Sequence, residues 1–277
     1  MGLFSNFERP GPGVNKNAPR AKGLKLFFEL YFRKFGSYLQ LNLFYFTSLI
    51  PAIAVVWYFI ISIFNDFALL NNDTLIAATI LSLLISVILC CVFALSPFSS
   101  GFHYVLRNFS FEKHAFVFSD FIDKFRENAK NSIIMFFIDL IAVIAGILFL
   151  RIYLILSMSN SFFIAPFTFL IIAMIVYSLM TPYRWTMLIT FDLNKRQIYK
   201  NALFFVLGDL KVSLKHLIST SLFVILLFVL VYLTSVVGII LLILCAFSAY
   251  GLISQINIYQ QMQDFISQSP GGHENIN

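Results

Sequence analysis

Between His216 and Asp264 the chain reads LISTSLFVILLFVLVYLTSVVGIILLILCAFSAYGLISQINIYQQMQ, residues 217–263, 47 positions without a formal charge. As one helix this run would extend roughly 70 Å at 1.5 Å per residue, more than twice the ~30 Å hydrocarbon thickness of a bilayer. It therefore predicts two spans, near 214–232 and 236–258, turning at Thr234-Ser235 with Gly238 just beyond.

The same rule applied upstream places further spans. No charge interrupts Lys34 to Asp66, nor Asp73 to Arg107, giving spans near 41–64 and 75–97. A third falls near 133–157, carrying Asp139 and Arg151, and a fourth near 162–180. The expected fold class is an all-α polytopic membrane protein of six transmembrane helices in three hairpins. A tail (1–23) precedes one membrane domain (24–260), and a cytoplasmic tail (261–277) follows it, with Gln255–Asn277 read as polar and frayed.

Composition agrees. The chain of 277 residues is 60% hydrophobic and 12% charged, where a soluble domain carries about 25% charged residues. Phe occurs 34 times; an aromatic-lined pore and a plain compositional bias are both readings of that. The net charge of +6 does not form one nucleic-acid-binding patch, because the basic residues flank apolar runs, which suits an anionic lipid surface. Cys90, Cys91 and Cys245 lie in apolar runs without ligand or disulfide spacing. The first forty residues lack the early apolar core of a secretory signal.

Lys and Arg set the threading. Seven precede the first span, five (Arg107, Lys113, Lys124, Arg126, Lys130) follow the second, and six (Arg184, Lys195, Arg196, Lys200, Lys211, Lys215) follow the fourth. Arg151 alone stands apart. The expectation is a bacterial plasma-membrane protein with N- and C-termini in the cytoplasm.

Each odd-numbered span also follows a basic amphipathic stretch. Leu24, Phe27, Phe28, Tyr31, Phe35, Tyr38 and Leu39 keep helical rhythm; Phe118, Phe121, Ile122, Phe125 and Ala129 repeat it; 198–215 keeps it loosely. Lys34-Phe35 and Lys124-Phe125 match 90 residues apart, and Pro97 and Pro182 match 85 apart. This predicts three units, each a basic interfacial helix ahead of a membrane hairpin.

Phe7-Glu8-Arg9-Pro10-Gly11-Pro12-Gly13-Val14, Lys16-Asn17-Ala18-Pro19, Arg33-Lys34-Phe35 and Leu41-Asn42 resemble the opening of the YesL-like family of bacterial membrane proteins. The central run Gly101-Phe102-His103-Tyr104-Val105-Leu106-Arg107-Asn108, followed by His114-Ala115-Phe116 and Ser119-Asp120-Phe121, is similar to it as well. The resemblance implies a domain of unknown function, found mostly in Gram-positive bacteria and often beside carbohydrate-utilisation systems. It implies a role accessory to a sugar ABC transporter or a membrane sensor complex. It carries no catalytic residue, cofactor or metal.

Candidate functional residues are few. Asp139, about two turns inside the third span, reads either as a proton- or ligand-linked site or as a carboxylate reaching water or Arg184; a carboxylate at the bilayer centre costs about 2.5–3.5 kcal/mol on insertion scales. Arg151, about 18 Å further along the same helix, reads as an anion site from outside, or as a residue snorkelling to the interface or meeting Asp66 or Asp73. Tyr104, Arg107, Asn108 and His114 lie where the second span ends, placed to grip a partner protein or a phosphate, or simply to face headgroups. No cluster of reactive groups at one depth points to an enzyme. A non-catalytic accessory protein is one expectation, a small-molecule (sugar or oligosaccharide) transporter or channel the other.

Overall fold

The computed structural model describes residue 21, residues 23–48, residue 50 and residues 97–268. Every element among them is helical. α1 is Gly23–Arg33, and α2 follows over 35–48, after a turn at Lys34. α3 is Ser99–Ser110, α4 Val117–Ser159, and α5 Ile164–Thr190 after a short 3-10 turn, Ser161–Phe163. α6 is Lys195–Gly208 and α7 Leu210–Thr234. α8 (Val236–Leu241) passes through a π turn (Leu242–Ala246) into α9 (Phe247–Gln268).

Four stretches are long and apolar enough to cross a membrane: Val117–Ser159, Ser161–Thr190, Leu210–Thr234 and Val236–Ile258. The break in the 47-residue run falls at Ser235, which takes a positive φ of 45°. Gly238 then lets the chain pass close to α7, since a Cβ there would stand 2.6 Å from the Val231 Cα. Of the first two expected spans, only 41–48, residue 50 and Pro97 lie within the described residues.

Five expectations need correcting. The second amphipathic stretch is not a separate interfacial helix: α4 runs unbroken for 43 residues from Val117 to Ser159, with no Pro between them to stop it. Lys124 therefore lies within a helix, two turns from its start, while Lys34 sits at a turn, so the 90-residue correspondence is not a structural one. The third stretch is split at Asp209, whose carboxylate caps α7 by accepting from the Lys211 and Val212 amides at 3.1 and 3.2 Å. Upstream, Asn194 and Gln197 close a capping box that starts α6.

The fourth apolar helix also outruns its expected end. α5 continues through Pro182 to Thr190, as membrane helices do where neighbours re-satisfy the freed backbone. Arg184 thus belongs to the bundle interior, fully buried, and not to a cytoplasmic loop. Nor does the chain fray after Gln255: α9 extends to Gln268, with Ser254, Gln255, Asn257 and Ile258 buried. Those polar side chains face partners inside the bundle.

The packing is inside-out relative to a water-soluble protein. Phe169, Leu222, Tyr232 and Leu233 point outward, while Asp139, Arg184, His103, His216 and Gln255 are buried. An apolar exterior around a polar interior is stable only where the surroundings are apolar. Close helix approach helps: a Cβ on Gly101 of α3 would come 2.1 Å from the Phe121 carbonyl oxygen of α4. Leu26, Leu30 and Tyr31 of α1 pack with Phe102, Leu106, Ala249 and Leu252 in one apolar cluster. Met135, Tyr183, Trp185 and Ile198 anchor another, between α4, α5 and α6.

Candidate functional site

Tyr177, Thr181 and Arg184 stand at i, i+4 and i+7 on α5 and so share one face. That face meets Asp139 of α4 and Tyr199 of α6. Arg184 Nη1 donates to Asp139 Oδ1, and both residues are essentially inaccessible, at 0% and 1% exposure. Tyr177 Oη donates to the same oxygen at 2.6 Å, and Tyr199 Oη does so at 3.3 Å. Arg184 Nη2 donates to Thr181 Oγ1 at 3.0 Å. The guanidinium carbon lies 4.6 Å from the Tyr177 ring centre and 4.9 Å from that of Tyr199. The two rings are 6.5 Å apart and 30° from parallel, so both aromatic quadrupoles add to the carboxylate in balancing the cation.

Chemically this is a clamp. A lone Asp or Arg at this depth is expensive, and each offsets part of the other's cost. The three hydrogen bonds converging on one carboxylate oxygen join α4, α5 and α6. Burial holds the Tyr199 phenol above its ordinary pKa, with the Arg184 charge opposing that shift; it stays a neutral donor.

A second polar group lies between α3, α5 and α9. Gln255 Nε2 donates to Thr186 Oγ1 at 3.0 Å and approaches His103 Nδ1 at 3.4 Å. The His103 ring stacks on Trp185 at 6.0 Å and 8°. Thr186 in turn donates to the Pro182 carbonyl at 2.7 Å. On α7, His216 Nε2 meets Ser254 Oγ at 3.1 Å, and Ser219 Oγ accepts from Asn257 Nδ2 at 2.6 Å. Ser132 pairs with Ser100, at 2.7 Å, and Tyr45 with Ser99, at 2.9 Å. Small hydroxyls and amides recur wherever two helices touch.

The expected candidates divide. Asp139 and Arg184 come together. Arg151, half-buried, lies three turns along α4 and outside the clamp; Asp66 and Asp73 lie outside the described residues. Tyr104 and Arg107 are in contact, with the guanidinium 5.5 Å from the ring centre. Asn108 is buried, and His114 is exposed against Phe116 at 4.6 Å between rings. Sequence reasoning missed Tyr177, Thr181 and Tyr199. The first two carried a signal, polar positions at helical spacing from Arg184. Tyr199 carried none, since only the packing of α6 brings it in. Among the described residues no group of three or more His, Cys, Asp or Glu is placed to hold a metal ion.

Comparison with protein-family models, with curated proteins and with solved structures finds no match.

Proposed function

We propose that this chain is a non-catalytic integral membrane protein accessory to a carbohydrate-uptake or sensing complex of a bacterial plasma membrane. In this reading it has six spans in three hairpins, with both termini and the basic loops in the cytoplasm. The observation that carries it is the closed Asp139–Arg184 pair. The only acid–base couple this deep among the described residues is hydrogen-bonded by Tyr177, Tyr199 and Thr181 and sealed from solvent, with the Arg184 Nε buried and unpartnered. That geometry suits a rigid support better than a ligand path. The resemblance to the YesL-like family supplies the association with sugar systems.

Purification from native membranes in mild detergent tests the reading. A co-purifying sugar ABC transporter subunit or histidine kinase is the expected result, and a partner-free monomer overturns it. For the threading, reporter fusions within 65–74 are expected to report the outer side.

A transporter is the second reading, favoured by two helix irregularities beside the polar interior: Pro182 within α5 and the π turn at Leu242–Ala246. Such breaks mark substrate sites in transporters, and π turns often mark functional positions. It requires sugar or oligosaccharide uptake into proteoliposomes that Asp139→Asn abolishes; absence of flux removes it.

A further inference from the structure

At the end of α3 three helices bring cations, a ring and a hydroxyl together. Arg107 Nη1 donates to Thr190 Oγ1, the last residue of α5, at 2.6 Å. Thr190 sends its own proton to the Thr186 carbonyl at 2.6 Å, which leaves its lone pairs to accept. The Arg107 guanidinium lies 5.5 Å from the Tyr104 ring centre, and Lys124 Nζ of α4 lies 5.2 Å from the same ring.

The charges here do not balance. Lys124 has Glu127 at 2.5 Å. Arg107 has no carboxylate within ion-pair distance among the described residues; its hydroxyl and ring neighbours are neutral. The guanidinium carries five N–H donors in a fixed fork, and one bond to Thr190 uses one of them. No Arg107 nitrogen is both buried and unpartnered, so the remaining donors open to the outside. Burial pulls the arginine below its ordinary pKa, and Tyr104 opposes this only in part.

A half-desolvated planar fork without a counter-charge gains most from a bidentate oxyanion. Lys124 adds a second cation beside it, but Glu127 offsets that charge, so the unbalanced charge of the site is that of Arg107. Depth narrows the class further: Thr190 ends an apolar crossing stretch, and Lys124 lies about 13 Å before the apolar part of α4 begins at Ile133. That is where headgroup phosphates lie. We propose that Arg107 and Lys124, with Thr190 and Tyr104 positioning the Arg107 guanidinium, form a binding site for a phosphoryl anion, carried by an anionic phospholipid or by a soluble phosphate ester.

The test uses the full chain. In nanodiscs of phosphatidylcholine with and without phosphatidic acid, native mass spectrometry counts retained lipid. In detergent, the thermal midpoint is followed against inorganic phosphate at fixed ionic strength, with sodium chloride as control. Arg107→Gln is expected to weaken retention or stabilisation about tenfold, the loss of one charge-assisted pair. Lys130→Gln, a cation elsewhere on α4, is expected to leave both unchanged. Arg107→Lys keeps the charge but loses the fork, and is expected to fall between; it also reads the site should Arg107→Gln fail to fold. Retention of phosphatidic acid without a phosphate response assigns the lipid, and the reverse assigns a soluble ester. No anion effect in the native chain, or equal effects in all three variants, overturns the proposal.

Discussion

Asn42 ties Ser248 to the residue five places before it. Its Oδ1 accepts from the Ser248 amide at 2.7 Å, and its Nδ2 donates to the Ile243 carbonyl at 2.6 Å. Ile243 lies within the π turn and Ser248 just beyond it, and the Cys245 carbonyl of that turn also accepts from Ser248 Oγ at 3.1 Å and from Tyr31 Oη at 3.4 Å. A stretch of widened helix, where backbone groups lose their usual spacing, is thus held by side chains of α1 and α2. The Asn42 side chain is fully buried.

Asn42→Leu removes both bonds and leaves the π turn without them. A loss of about 1–3 kcal/mol is expected, read as a lower thermal midpoint in detergent and faster hydrogen exchange at the Ser248 amide. Asn42→Asp keeps the acceptor but not the donor, and is expected to exchange slowly at Ser248 while still losing stability.

The Asp139–Arg184 clamp predicts strong non-additivity. Asp139→Leu or Arg184→Met alone strands a buried charge and is expected to cost about 3–5 kcal/mol. The double variant is expected to lie close to the native chain. A thermal-midpoint cycle checks this; additive losses would show that the pair is not coupled.

His103 predicts a pH dependence. Burial first, then the Arg184 charge, pushes its pKa down to about 3, against an ordinary value of about 6.5. Below about 6.5 the unfolded chain therefore binds a proton that the folded chain refuses, so stability drops as pH falls from there toward 3. Thermal midpoints between neutral pH and mildly acidic pH are expected to fall less in His103→Gln than in the native chain.

Two glycines separate packing from backbone freedom. Gly101→Ala forces a Cβ onto the Phe121 carbonyl and is expected to cost at least about 1–3 kcal/mol as α3 and α4 part. Gly36→Ala, on α2 with open space around it, is expected to be neutral or to stabilise by up to about 1 kcal/mol. Helicity and thermal midpoint of both variants check the contrast.

What sequence alone reveals here follows from what is local. Charge-free runs and their lengths place three of the four apolar crossing stretches, and apolar content places the one that carries Asp139 and Arg151, because an apolar helix in lipid needs no particular neighbour. Ser235 shows as a break because the 47-residue run is too long for one crossing. Arg184 reads as a loop residue because its charge closes the charge-free run that starts after Arg151; in the bundle α5 continues past it and buries it against Asp139. Asp139 reads as costly, but its partner emerges only once α4 lies against α5. Asn42 sits in an unremarkable apolar stretch, and its role depends on a contact 206 residues away.

One element has mechanical meaning. α4, 43 residues without a joint, extends about 65 Å, roughly twice a bilayer's hydrocarbon depth. Its first fifteen or so residues carry Asp120, Asp123, Lys124, Arg126, Glu127 and Lys130, and its later half carries Asp139 and the apolar stretch. One continuous helix therefore links the charged end to the buried clamp, with no loop or Pro between Val117 and Asp139 to uncouple them.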